Sequence, residues 1–186
     1  MRFLLVLISL LWGAVAQAHP LVDAARSQIG VTVFYDPSYV GLTFPGGDLD
    51  RSRGVCSDVV IRALRDAYDF DLQEQVNRDM KASFISYPQN WGLRSTDRNI
   101  DHRRVPNLRT FFDRRGEQLP VTQDPAQYQP GDIVSWVLPG NLTHIGIVSN
   151  QTRQGVPLII HNIGRGTQEE DILFQFSITG HFRFNP

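Results

Sequence analysis

The sequence predicts an α+β fold in which helices from the N-terminal half pack on a C-terminal antiparallel sheet of four to six strands. Three observations carry this expectation. Apolar residues recur at helical spacing in segments between Pro20 and Gly116, and the period switches to that of strands from Ile133 onward. The single cysteine, Cys56, falls at the head of one helical segment. The residues after the first eighteen suffice for one hydrophobic core, and no linker, repeat or low-complexity segment divides them, so 19–186 reads as one domain.

At the N-terminus, Arg2 gives a positive start, Phe3 to Trp12 is an apolar run too short to span a bilayer, and Ala16-Gln17-Ala18 is the small-x-small pattern that a signal peptidase accepts. Residues 1–18 thus read as a signal peptide cut after Ala18, and the expected location is the periplasm or the medium. Pro20 suits a first helical turn, and Leu21, Val22, Ala24, Ala25 and Ile29 continue the helix until Gly30 stops it. Residues 31–54, rich in Tyr, Pro, Gly and Asp, read as loop. Val59, Val60, Ala63, Leu64 and Ala67 then form an apolar stripe, with Arg62, Arg65 and Asp66 on other faces, so a helix begins at or just before Cys56.

Leu72, Val76 and Met80, spaced by four, predict a helix from Asp71 to about Phe84. Ser86 to Pro106 lacks a period and reads as a long loop, and Pro106 opens a helix that Gly116 ends. Together these make residues 71–128 a helical and loop insert. Strands are expected at 133–137, 145–148, 158–161, around Phe174 to Phe176, and at 181–184. The formal charge of −1 gives no general attraction to nucleic acid or anionic lipid, so neither nucleic acid nor, after signal removal, a membrane is an expected partner, and a monomer is expected.

A lone cysteine carried into an oxidising compartment cannot form an internal disulfide, so it points to chemistry. A thiol needs to ionise before it attacks an acyl carbon. Unpaired N–H groups at a helix start favour the anion and can also hold an oxyanion, an imidazole can take the proton, and a third polar group must orient that imidazole. His144 heads one predicted strand, with Gly146 on the same face leaving room for a ring, and His161 ends the next strand.

Gly54-Val55-Cys56-Ser57, Gln129 to Val134 with its Pro-Gly-Asp turn, Thr143-His144-Ile145-Gly146-Ile147-Val148, and Ile159-Ile160-His161 resemble, in that order, the motifs of the NlpC/p60 superfamily of papain-like cysteine peptidases. The likeness covers roughly residues 54–64 and 129–162. Asn99 to Asn107 and Gly180 to Arg183 are similar to an exported bacterial family of unassigned function grouped near that superfamily. The resemblance implies a papain-like fold with the nucleophile helix packed on the sheet. It further implies Cys56 as nucleophile, His144 as base and His161 as the orienting third member. The implied reaction is hydrolysis of an amide in the peptide stem of peptidoglycan, between D-glutamate and a diamino acid, without a cofactor.

The chain departs from the pattern at Asp58, where many members have glycine. That carboxylate disfavours a nearby thiolate unless it turns toward Arg53, Arg62 or the long loop. Asp58 is grouped with Asp101, His102, Arg103 and Arg104 as candidate substrate-binding residues, the arginines offering planar forks for carboxylates. Tyr35 and Asp36 join them, because the superfamily often sets an aromatic residue from the N-terminal loop beside the nucleophile. The same site could serve as an amidase, acyltransferase or deacylase on another small acyl substrate, or survive only as a wall-binding module. Cys56, His144, His161, His181 and Asp58 are zinc-competent types, but no close-spaced ligand pair occurs and no metal site is expected.

Overall fold

The computed structural model describes residues 18–186, and the signal-peptide reading of 1–18 falls, all but Ala18, on residues outside these. Helix α1 (Pro20–Arg26) is followed by two short strands that pair in parallel, β1 (Phe34–Tyr35) and β2 (Arg53–Gly54). Helices α2 (Cys56–Tyr68), α3 (Leu72–Ala82) and α4 (Val105–Arg115) come next. The sheet comprises β3 (Glu117–Gln118), β4 (Ile133–Leu138), β5 (Leu142–Arg153), β6 (Val156–His161), β7 (Gln168–Glu170) and β8 (Ser177–Arg183). All six are antiparallel, in the order β3-β8-β4-β5-β6-β7. The molecule is therefore α+β, with helices covering one face of a C-terminal antiparallel sheet. Among the described residues no helix is long and apolar enough to cross a membrane.

Local chemistry explains the helix limits. Asp71 caps α3 by accepting from Gln73 N–H at 3.1 Å, and α2 ends where Asp69 turns left-handed at φ 53°. Helix α1 stops short of Gly30 because the Gln28 side chain turns inward and donates to the Val59 carbonyl at 2.9 Å. Alternation along the strands divides the core in two. Ile133, Ile145, Ile147 and Ile160 meet Val59, Val60, Leu64 and Phe112 from the helices. Val134, Trp136, Val148 and Ile159 form the other face with Tyr128 and Leu173.

One expected strand fails to form and one that forms was not expected. Residues 173–176 form a turn and a bend, not a strand, and the Trp136 indole donates to the Leu173 carbonyl at 2.9 Å, which pins that turn over the second core. Strand β7 is wholly polar and gave no alternation to read. The Asp of the Pro-Gly-Asp turn, Asp132, is buried and binds His181 Nε2 at 2.8 Å and the Arg183 fork at 2.8 and 2.9 Å, locking β4 to β8.

The insert is packed, not loose. Asp79 on α3 receives Tyr87 Oη and Arg114 Nε, each at 2.7 Å, which joins α3 to the following loop and to α4. Gln73 holds the Arg98 carbonyl at 3.1 Å, and Asn99 accepts from Leu42 N–H at 3.0 Å, which fastens the 86–104 segment to the 31–54 loop. That loop is in turn fixed on α2 by buried Arg62, whose guanidinium grips Asp48 at 2.8 to 3.0 Å.

Candidate active site

The start of α2 is built by three residues that precede or follow the cysteine. Val55 has extended backbone, and its N–H is taken by the Asp58 carboxylate at 2.7 Å, the half of a capping arrangement that a residue three positions inside the helix supplies. Gly54 is tightly confined, since a Cβ there would lie 3.1 Å from Asp58 and 3.2 Å from Arg62 Nη1. Its carbonyl accepts from Asn162 Nδ2 at 3.0 Å, which ties the helix start to the chain just past β6.

Cys56 thereby sits at the first helical position, 5 % exposed, on the floor of a cleft of about 400 Å³. Tyr35, Trp91, Arg104, Asn141 and Thr143 line the same cleft. The loop 31–54, the insert and the head of β5 thus each give it a wall. Trp91 was passed over in the sequence because it lies in an aperiodic stretch. The Arg104 guanidinium stacks 4.1 Å from its ring centre and pairs with Asp101 at 3.2 Å.

The second half of the constellation lies on β5 and β6. His144 Nε2 and His161 Nδ1 are 3.0 Å apart, with the rings nearly perpendicular at 86° and both side chains buried. Gly146 leaves room as its place in the sequence suggests, and the space is taken by β6. A Cβ there would lie 2.7 Å from Ile159 Cγ2 and 3.1 Å from His161 Cβ, so its absence is what lets β6 bring His161 against His144. Trp136, directly across from His144, packs its ring 5.8 Å away. Beyond His161, Glu170 Oε2 stands 3.1 Å from Nε2, bent away from a linear hydrogen bond, and Arg165 pairs with the same carboxylate at 2.8 Å. Nothing in the sequence marked Glu170, which is one acidic residue of a polar run.

The cysteine meets β5 through its main chain. The Ile145 N–H, with those of Ser57 and Cys56 itself, favours the thiolate, but burial outweighs them and the Asp58 charge adds to it, so the thiol is pushed up to about 11. Burial, reinforced by His161, pushes His144 down to about 3, and burial also lowers His161 against the pull of Glu170. The resting site is thus a neutral thiol beside neutral imidazoles, with no thiol–imidazole hydrogen bond among the described residues, where the sequence suggested an ion pair. Since thiolate is scarce below about pH 11, alkylation of Cys56 by iodoacetamide in the absence of substrate should be slow at neutral pH and rise about tenfold per pH unit up to that value. A rate already level at pH 6 would mean that an ion pair forms after all.

The described chain matches the family model for a domain of unknown function, DUF1287, over residues 22–184. The chain belongs to the DUF1287 family. It is also 57 % identical over 165 residues to the uncharacterized protein YijF of Escherichia coli strain K12, covering 88 % of this chain and 80 % of that one. Against this background, the remaining candidates in this DUF1287 chain divide sharply. Tyr35 and Arg104 face the cleft. Asp36 turns its carboxylate to Ser38 N–H at 3.0 Å and to Arg53 at 3.4 Å.

Asp101 is buried, where it accepts from Asp97 N–H and Arg104, and His102 is buried with burial pushing it down to about 4. Arg103 borders the cleft but offers it no fork. Its Nε and Nη2 clasp Asp58 at 2.9 Å each, and its Nη1 and Nη2 hold the Ser38 and Asp36 carbonyls at 3.0 Å. Asp58 is likewise spent on Val55 and Arg103 and does not face the cleft as a ligand. The expected substrate roles of Arg103 and Asp58 are therefore replaced by a structural one, a clasp between the helix start, the insert and the 31–54 loop. Asp58 does turn away from the thiol toward the long loop, one of the directions its sequence context allowed.

Proposed function

We propose that this DUF1287 chain is an exported thiol hydrolase of papain-like fold that cleaves an amide in peptidoglycan stem peptides. The observation that carries the reading is the sole cysteine, at a helix start on the floor of a cleft and hydrogen-bonded by the Ile145 main chain, next along β5 to His144, which is itself hydrogen-bonded to His161. Cys56 attacks the scissile carbonyl while its proton passes to His144, and the oxyanion is held by N–H groups at the start of α2. His144 then gives that proton to the leaving amine, and water, activated by the same ring, releases the acyl group. Because both resting groups are neutral, the proton has to pass from sulfur to ring as the substrate is attacked, not before it binds.

Arg104, which lies over the Trp91 ring and lines the cleft, suits a carboxylate-rich peptide, and Tyr35 lines the same cleft. Incubating the protein with purified wall fragments and weighing the products should reveal a new free amine and carboxyl at the bond following D-glutamate. Transfer of an acyl group to an added amine, or cleavage of simple acyl esters alone, would shift the assignment to an acyltransferase or deacylase acting through the same residues. No product from any acyl substrate would end the hydrolase reading and leave a wall-binding module.

A further inference from the structure

We propose that Glu170 is a positioning residue that sets the tautomer of both imidazoles, so that His144 presents a bare Nδ1 to the cysteine. The inference rests on the hydrolase reading for its purpose, but on geometry alone for its existence. In the sheet, Glu170 pairs with Ile159 and so shares a face with His161, two residues on, as its diagonal neighbour. This register carries the carboxylate to within 3.1 Å of His161 Nε2, a nitrogen otherwise buried without a partner.

An anion at that distance repels a lone pair on Nε2 and favours a proton there. With its one proton on Nε2, neutral His161 has a lone pair on Nδ1, 3.0 Å from His144 Nε2. His144 must then donate from Nε2, and its remaining nitrogen, Nδ1, is left as the acceptor that a thiol proton needs. The opposite arrangement, with His161 protonated at Nδ1, forces His144 to accept at Nε2 and carry its proton on Nδ1, where it is useless as a base. The charged and titratable groups around His161 act in different senses, Glu170 favouring its charged form and Arg165 disfavouring it. Burial keeps His161 neutral, Glu170 opposes that only in part, and Arg165, itself exposed, keeps Glu170 in place through a 2.8 Å contact.

The test uses the full mature chain with ¹⁵N-labelled histidine and reads tautomers from two- and three-bond proton–nitrogen couplings at neutral pH. The wild type is expected to show both His144 and His161 protonated at Nε2. In Glu170→Leu both rings should move to mixed or Nδ1-protonated populations, and Glu170→Gln, which keeps an acceptor oxygen, should restore the wild-type pattern. On a cleavable wall peptide, Glu170→Leu should lower kcat by about ten- to a hundredfold with KM nearly unchanged, short of the roughly 10⁴-fold cost of altering a carboxylate bonded directly to a catalytic histidine. A wild-type His144 protonated at Nδ1, or tautomers unmoved in folded Glu170→Leu, would overturn the proposal. Wild-type protein inert toward wall peptides would refute the hydrolase reading while the tautomer result stands by itself.

Discussion

Alanine at Cys56 should bring hydrolysis of wall stem peptides to background, a fall of about 10⁴- to 10⁶-fold, because the proposed acyl intermediate forms on that sulfur. The fold should survive. The sulfur is a small part of a well-filled core, and its removal should cost about 1 kcal/mol in a denaturant or thermal melt. Replacing His144 with glutamine should produce a loss of similar order, and the double variant should be no worse than either single one, since a nucleophile without its base and a base without its nucleophile are equally idle. Product quantification by mass spectrometry, with circular dichroism to verify folding, checks all three. Undiminished cleavage by folded Cys56→Ala would remove the thiol from the chemistry.

The largest stability effect should come from Arg103→Met. Its guanidinium is nearly sealed from solvent and serves Asp58 and two main-chain carbonyls at once. Deleting it leaves a buried carboxylate and two carbonyls unanswered, and stranding one partner of a buried pair costs about 3–5 kcal/mol. For a domain of this size that lowers the melting temperature by roughly 6–20 °C. The companion variant Asp58→Leu/Arg103→Met should recover part of the loss, because removing both charges abolishes the stranded one, although Val55 then lacks its acceptor. A single variant that melts within a few degrees of the wild type would show that the clasp is not needed to hold the helix start. Activity in Arg103→Met should fall along with stability, since the clasp joins two of the cleft's walls.

What could be read from the amino acids alone followed from how local each signal is. The start of α2, the helical stripe after it and the central strands announce themselves by spacing, and the structure has them at nearly the expected positions. Phe174 to Phe176 alternates like a strand, yet its neighbour Leu173 is drawn under Trp136 and the segment turns, a tertiary demand that short-range periodicity cannot contain. The cysteine and the two histidines were legible as residue types in sequence order. Their protonation was not, because it depends on burial, and burial is a property of everything packed around them. Arg103 reads as a free surface fork only until the fold reveals a carboxylate and two carbonyls converging on it, and Glu170 gains meaning solely from the register of β7 on β6.

The submerged, protonated state of Cys56 has a bearing on durability. Peroxide and foreign disulfides react with the anion of sulfur, and a group that releases its proton only near pH 11 exposes almost none of it at neutral pH. A molecule with a single thiol and no resolving partner has no way to repair a sulfenic acid from within. Burial instead keeps that thiol in its protonated, weakly reactive form.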